Sequence, residues 1–517
     1  MRHLILSAIL RHILLSIALV LTFLPQCAYA NPQTAPEVPL DLNLFAAAIR
    51  PGFERDLLSM LDVPRYLIDM KIDPDTRVVS GVERVRYTNR ERMPLQKIVL
   101  RLYPNTSYLG GSMRLNGVTL DDHPVQLEPY RPDVMKDESA WSLTLGTPLV
   151  PRQSVELGMR YVVTAPLEPK NGYTTFGQIE GILALPDAYV MIAPRMGDAW
   201  LADPAAGFGD IVQSEMAMYH VTVHVPSGVT AAPSGVCQSG SADPAARVTA
   251  NRPSEQLLTC VSAPARDFAV HLSRDYKVLT STLHDDRPDP VIVHSYFTVA
   301  RQHAGELALT HAMQALKVFE RRFGAYPYRE FSIFESKSIA GGIEYPLSVG
   351  ENYAMYQQDG GYSEWITAHE VSHQWWYGMV GSDQLREAWL DEALAQYSAS
   401  LYIEDQYGKA TAEADRQRFF VDRYAAALKE RGDSVVAQPT IAFYRWSYAP
   451  VIYAKAPQFY TDVRAAIGDA RFDLWLRTYF EHFRLSFAHA QDLLSVADSL
   501  GFGAAVREVY ARRIAGH

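Results

Sequence analysis

The hydrophobic period of this chain changes near Asp275, and that change limits the fold more than any other feature of the sequence. From Pro64 to about Asp275 apolar and polar residues alternate. Val155, Leu157, Met159 and Tyr161 share one face, with Glu156 and Arg160 on the other. The same period recurs at Tyr219, Val221, Val223 and Val225, and at Phe268, Val270 and Leu272. Such alternation marks half-buried strands. Ile98, Leu100 and Leu102 add a strand that ends at the Pro104-Asn105 turn. His220 and His224 share the polar face of their strand without an acid or cysteine near them, which predicts solvent-facing histidines. After Asp275 the step lengthens to threes and fours at Leu309, Met313, Leu316, Phe319 and Phe323, predicting a helix closed by Gly324. GAYPYREFSIFES then reads as a turn into a short strand, AGGIEYP is glycine-rich, and most of the chain from Ser363 has helical spacing. The expected organisation is an all-β domain over residues 31–275 and a mixed α and β domain over 276–517.

The first thirty residues stand apart. Arg2 and Arg11 flank short apolar stretches, ILLSIALVLTFL carries no charge, and Ala28, Tyr29 and Ala30 form a small-residue cleavage site. We read a secretory signal peptide cut between Ala30 and Asn31; Arg11 shortens the apolar run below what a membrane span needs. Cleavage removes Arg2 and Arg11 and no acid, so the formal charge moves from −10 to −12. That excess of acid argues against a nucleic-acid partner. Cleavage also removes Cys27 and leaves Cys237 and Cys260, a pair expected to form one disulfide across neighbouring strands of an exported protein.

HEVSHQWWYG, residues 369–378, is the densest chemistry in the sequence. At 3.6 residues per turn Ile366, His369, His373 and Trp376 fall on one helix face, which turns both imidazoles inward. Zinc would satisfy the two ring nitrogens at ~2.1 Å, with a third protein ligand and one position left for water. Glu370 is placed to reach that water rather than the metal. In LREAWLDEALAQYSASLYIE, Glu392 lies on a face with Leu385, Trp389 and Ala393, and a buried carboxylate is expensive unless it is paired or binds a metal. Eighteen residues separate His373 from Glu392, room for a loop that returns a second helix against the first. The expected ligands of one zinc per chain are His369, His373 and Glu392. Gly341 and Gly342 leave a backbone that an extended peptide can approach, and Glu344 just beyond would pair with a free α-ammonium. That pairing distinguishes an exopeptidase from an endopeptidase.

Taken together, HEVSHQWWYG, WLDEALAQY and GGIEYP resemble the gluzincin aminopeptidases, the family of aminopeptidase N and leukotriene hydrolase. YLIDMKI and VSGVERVRYTN are similar to the opening strands of that family's saddle-like N-terminal domain. The resemblance implies a saddle-like β domain followed by a thermolysin-like α+β catalytic domain, with zinc on His369, His373 and Glu392 and Glu370 as general base. It also implies a tyrosine at a helix start, two residues before a lysine, as donor to the oxyanion. Tyr453 in VIYAKA fits, and Tyr448 is the rival. Two departures stand out. Tyr345 replaces the family's usual asparagine, and the chain ends at His517 without the long helical domain of many relatives, which predicts a cleft more open or closed by a partner subunit. Gln178 and Glu180 lie near the region that would supply a further ligand for the substrate amine.

The function expected on these grounds is an exported aminopeptidase, periplasmic or secreted, acting on peptides with a free N-terminus. No membrane span remains after signal cleavage, and a homo-oligomer is left open. The alternatives are an endopeptidase or other zinc hydrolase on the same scaffold, or an inactive binding scaffold.

Overall fold

The computed structural model describes residues 42–516 except 132, 169–174, 242–254, 286, 288, 337–340, 353 and 355–361. The signal peptide and its cleavage site lie outside the described residues. The described residues fall within one compact body.

The alternating half builds an eight-stranded sheet. Its order is Val236–Ser241, Glu255–Ala265, Ala217–Pro226, Arg65–Asp73, Val78–Thr88, Ser154–Thr164, Ser112–Leu120 and His123–Pro124. Arg65–Asp73 runs parallel to Ala217–Pro226, and its other neighbour is antiparallel. Two four-stranded sheets also belong to this half, one containing Ile182–Pro186 and Ala269–Ser273, the other Leu95–Arg101 and Ala140–Leu149. The alternation seen in sequence is the burial pattern: Val155, Leu157, Met159 and Tyr161 are buried, while Glu156 and Arg160 are partly exposed. Cys237 and Cys260 stand opposite each other on adjacent strands and are joined in a disulfide.

The reading of His220 and His224 as solvent-facing needs correction. Both rings are half-buried, and His224 lies 3.3 Å from Asp69 and 3.5 Å from Glu255, on the strands either side of its own. These acids are distant in sequence, so the pattern of a single strand could not show them.

Tyr276 opens a separate five-stranded sheet, ordered Tyr276–Leu283, Val291–Thr298, Glu330–Ser336, Ser348–Asn352 and Gly342–Tyr345. The glycine-rich GIEY segment is therefore an edge strand, antiparallel to Ser348–Asn352 on one side. The helix Gln302–Arg322 covers this sheet and packs on the helix Tyr362–Ser372, which in turn packs on Ala388–Tyr407 and on the edge hairpin. After Tyr407 the chain is almost wholly helical, ending with Gly503–Arg513. Among the described residues no helix is long and apolar enough to cross a membrane.

The disulfide closes a loop of 23 residues in sequence separation. Chain-entropy reasoning gives such a closure about 3 kcal/mol. The Cys237→Ser/Cys260→Ser double variant is expected to lose that much unfolding free energy in a denaturant titration; an unchanged midpoint would mean the bridge does not constrain the unfolded chain.

Candidate metal and peptide site

Every residue from Glu364 to Ser372 in the helix Tyr362–Ser372 is buried, because neighbours cover it on all sides. The expected single inward face therefore understates the burial. The helix also ends at Ser372, so His373 sits in the following turn, its N–H bonded to the Glu370 carbonyl at 3.2 Å. Leu385 likewise precedes the second helix, which begins at Ala388 and carries Glu392. Neither correction moves the side chains apart. His369 Nε2 is 3.2 Å from His373 Nε2 and 3.2 Å from Glu392 Oε2, and His373 Nε2 is 3.5 Å from the same oxygen.

That triangle tests the donor set for zinc. Ligands at ~2.0–2.2 Å in tetrahedral directions sit roughly 3.3–3.6 Å from one another, and the observed edges of 3.2, 3.2 and 3.5 Å come close to this spacing. Glu392 Oε2 faces both rings and has no hydrogen-bond partner among the described residues. Two nitrogens and a carboxylate oxygen are also the chemistry zinc takes in hydrolytic sites. The residues present fit the ion.

The groups behind the triangle fix its orientation. His373 Nδ1 lies 2.8 Å from Asp391 Oδ1 and 2.9 Å from the Trp376 carbonyl, which leaves Nε2 facing the cluster. Gln384 donates from Nε2 to Asp391 Oδ2 at 2.9 Å and to Glu344 Oε1 at 3.3 Å. Gln374 donates to the Tyr345 carbonyl at 2.9 Å and accepts from the Leu347 N–H at 2.8 Å, so the residue after His373 clamps the edge hairpin to the histidine helix. The acids dominate the local field. Although burial opposes it, Glu344 and Asp391 hold the His373 imidazole well above its ordinary pKa, a field that favours a cation at this point.

Glu370 has a carboxylate oxygen within 4.8 Å of a nitrogen of each histidine. A Cβ on Gly342 would lie 2.4 Å from Glu370 Oε1, so the second glycine makes room for this carboxylate. Gly341 is tight as well, its Cβ position 3.0 Å from Ile366 Cδ1. Glu344 is buried near the end of the edge strand, and burial pushes its carboxyl up to about 8. The Tyr453 hydroxyl donates to Glu392 Oε1. Tyr453 does not stand at a helix start: it lies in a wide turn, Val451–Lys455, closed by the Ala456 N–H on the Val451 carbonyl at 2.9 Å. Pro450 has no N–H to continue the α pattern, and the wider turn follows it. Tyr448 is fully buried, its hydroxyl packed over Gly209 and its ring 5.2 Å from Phe208.

The β half also reaches the cleft. Gly209 and Asp210 line it together with Glu344, and Asp210 is within hydrogen-bonding reach of Glu392. Burial first, then Glu344 and Glu392, push the Asp210 carboxyl well above the carboxylate range. Gln178 and Glu180 do not line this space; Gln178 pairs with Leu183 in a sheet and Glu180 lies 4.0 Å from Arg301. Asp210, Asp391, Gln384 and Gln374 escape the sequence reading. The signal for Asp391 and Gln374 is adjacency, since each is one residue from a ligand. GFGD, with two glycines beside an acid, gives only a faint cue for Asp210.

Residues 308–512 match the family model described as the Peptidase family M1 domain. The chain carries a Peptidase family M1 domain. The aminopeptidase N of Haemonchus contortus is 29% identical over 144 residues, a match spanning 26% of this chain and 14% of that protein. An M1 zinc metallopeptidase from Deinococcus radiodurans superposes with a TM-score of 0.63 at 19% identity, covering 87% of this chain and 94% of the other. A mutant of that peptidase bound to a Tyr-Ser-Ala substrate gives 0.62 at 18% identity, with coverage of 87% and 93%. The structural likeness shows the shared fold: a β-rich N-terminal part and an α+β catalytic part. The gluzincin resemblance read from the motifs agrees with the M1 domain match over residues 308–512 and with the fold shared with the M1 zinc metallopeptidase structures.

Removing the carboxylate that holds a ligating histidine typically costs 10–100-fold in metal affinity. Asp391→Asn is expected to weaken zinc binding by about that factor in a chelator competition, with the fold retained by circular dichroism. Unchanged affinity would show that the Asp391–His373 contact does not orient the ring for a metal.

Proposed function

We propose that this chain is an aminopeptidase using one zinc held by His369, His373 and Glu392, and that residues 276–517 are its catalytic domain behind a β domain over 31–275. The observation that carries the exopeptidase reading is Glu344. It is a buried carboxyl near the end of an edge strand, beside the ligand cluster, and among the described residues no lysine or arginine neutralises it within the cavity it shares with Asp210. A peptide laid along Gly341 and Gly342 would pair as a further strand. Its α-ammonium would meet Glu344 and Asp210, ending the site at the first residue.

Zinc, when bound, supplies a Lewis acid for the scissile carbonyl and the attacking water. The remaining work belongs to side chains. Glu370, held by burial well above the usual carboxyl range, takes the proton of the attacking water and passes it to the leaving amine. Tyr453 turns its hydroxyl from Glu392 to the oxyanion that forms at the scissile carbon. Export through the segment 1–30 is part of the same proposal, and the Cys237–Cys260 disulfide supports an oxidising destination.

An aminoacyl arylamide and its N-acetylated twin separate this reading from the endopeptidase. The free amine is expected to be cleaved and the blocked one ignored; equal cleavage would favour the endopeptidase and leave the zinc reading intact. Glu370→Gln is expected to keep close to one zinc per chain while kcat falls by ~10² or more, whereas a chelator should abolish activity in wild type and zinc restore it. Tyr453→Phe should cost about 3 kcal/mol in kcat/KM. If Tyr448→Phe shows that loss and Tyr453→Phe does not, the oxyanion donor is misassigned.

A further inference from the structure

A cavity of about 70 Å³ opens beside Glu344. It shares Gly209, Asp210, Ile343 and Glu344 with the space over the ligand cluster, so the two adjoin. With an α-ammonium on Glu344 and a scissile carbonyl at His369 and His373, the first side chain of a bound peptide leaves the backbone between these points, at the mouth of this cavity.

Its walls are aromatic, including Tyr103, Tyr108, Phe176 and Phe208, but its charge has one sign. Asp187, Asp210, Asp267 and Glu344 line it, and among the described residues no lysine, arginine or histidine does. Glu344 and Asp210 face the amine end. Asp187 and Asp267 remain, 4% and 1% exposed, and Oδ1 of each has no hydrogen-bond partner among the described residues. The other oxygen of Asp267 accepts from the Tyr377 hydroxyl. Arg266, next in the chain, does not serve as their counterion by contact: it donates to the carbonyls of Tyr377, Ser214 and Ser486 at 2.6, 3.3 and 2.6 Å. Two buried carboxyls facing an apolar-walled space are costly as anions unless a cation joins them. Burial accordingly pushes Asp187 up to about 8 and Asp267 well above its ordinary value.

We propose that this cavity receives the side chain of the residue being removed and selects a long cationic one, lysine or arginine, whose head group pairs with Asp187 and Asp267. The proposal rests on the aminopeptidase reading above. The aromatic walls suit such a side chain, since its aliphatic stem packs on rings and its cation is attracted to their faces.

Lysine and norleucine side chains differ only in the terminal ammonium, so the corresponding aminoacyl arylamides isolate its contribution. Wild type is expected to cleave the lysyl substrate with kcat/KM about tenfold or more above the norleucyl one, the scale of one charge-assisted pairing. Asp187→Asn should bring that ratio toward one, chiefly by lowering the lysyl value. A wild-type ratio of one or below, or equal losses on both substrates in Asp187→Asn, would overturn the proposal. Calorimetric binding of free L-lysine and L-norleucine to zinc-loaded Glu370→Gln reads the cavity without turnover, and without a pocket variant that has to fold. Lysine binding about tenfold tighter supports the cavity assignment even if wild type cleaves neither arylamide, a result that would refute only the aminopeptidase reading. Equal binding of the two amino acids would refute the cavity assignment on its own.

Discussion

Negative charge withdrawn from water around two imidazoles is the constraint that the catalytic half has to satisfy. Glu344, Glu370, Asp391 and Glu392 are each at most 7% exposed, and they surround His369 and His373, themselves buried. Buried carboxylates persist only where donors or cations meet them. Among the described residues the donors include the Gln384 amide, the Tyr453 hydroxyl, and the His373 ring on Asp391. They do not balance the charge. What remains is two places where a cation is wanted: between the Nε2 atoms of the histidines and Glu392 Oε2, and beside Glu344. In the proposed function a metal answers the first and a substrate α-ammonium the second. Gln384, hydrogen-bonded to Asp391 and Glu344 at once, joins them electrostatically.

Holding that arrangement takes rigid elements rather than loops. The histidine helix is covered on every side, so its side chains have little freedom. The edge strand is tied to it through both ends of the Gln374 amide, and it approaches so closely at Gly342 that a methyl group there would collide with Glu370. Tyr453 is delivered by the wide turn after Pro450. An α-helix continued through that proline would rotate the following side chains to other directions, so the break in hydrogen bonding and the aim of the hydroxyl have one cause.

The parts of this architecture that sequence discloses are those whose causes are local. Alternation through Tyr161 or Val223 is visible because a strand buries every second residue, and the pairing of His369 with His373 is visible because one helical turn separates them. Glu392 is legible for a different reason: an acid inside an apolar helix calls for a partner. Where the cause is a contact between remote segments, the sequence is silent. Asp69 and Glu255 meet His224 only once three strands are side by side, and Asp210 reaches Glu392 across 182 positions, the difference between the two residue numbers. Element ends are equally hidden. The helix stops at Ser372 and not after Trp376 because the turn that follows spends the carbonyls of His373 and Gln374 on the N–H groups of Gly378 and Met379.

The cleft is a seam between the two halves of the chain, and that division has a chemical meaning. In the proposed mechanism the catalytic half supplies the ligands, the base, the oxyanion donor and Glu344. The β half supplies Asp187, Asp210 and Asp267, and with them most of the cavity that continues beyond Glu344. Buried bonds lock the halves together at this line: Thr175 with Tyr345 at 2.8 Å, Gln213 to Asp383 at 2.9 Å, and Arg266 to the carbonyls of Tyr377 and Ser486. A small shift of the β half would leave His369, His373, Glu392 and Glu344 where they are but would move Asp187, Asp210 and Asp267. On the proposed reading chemistry and selection therefore rest on different supports, and substitutions in the strands around Asp187 and Asp267 would alter which residue is accepted without touching the groups assigned to bond cleavage.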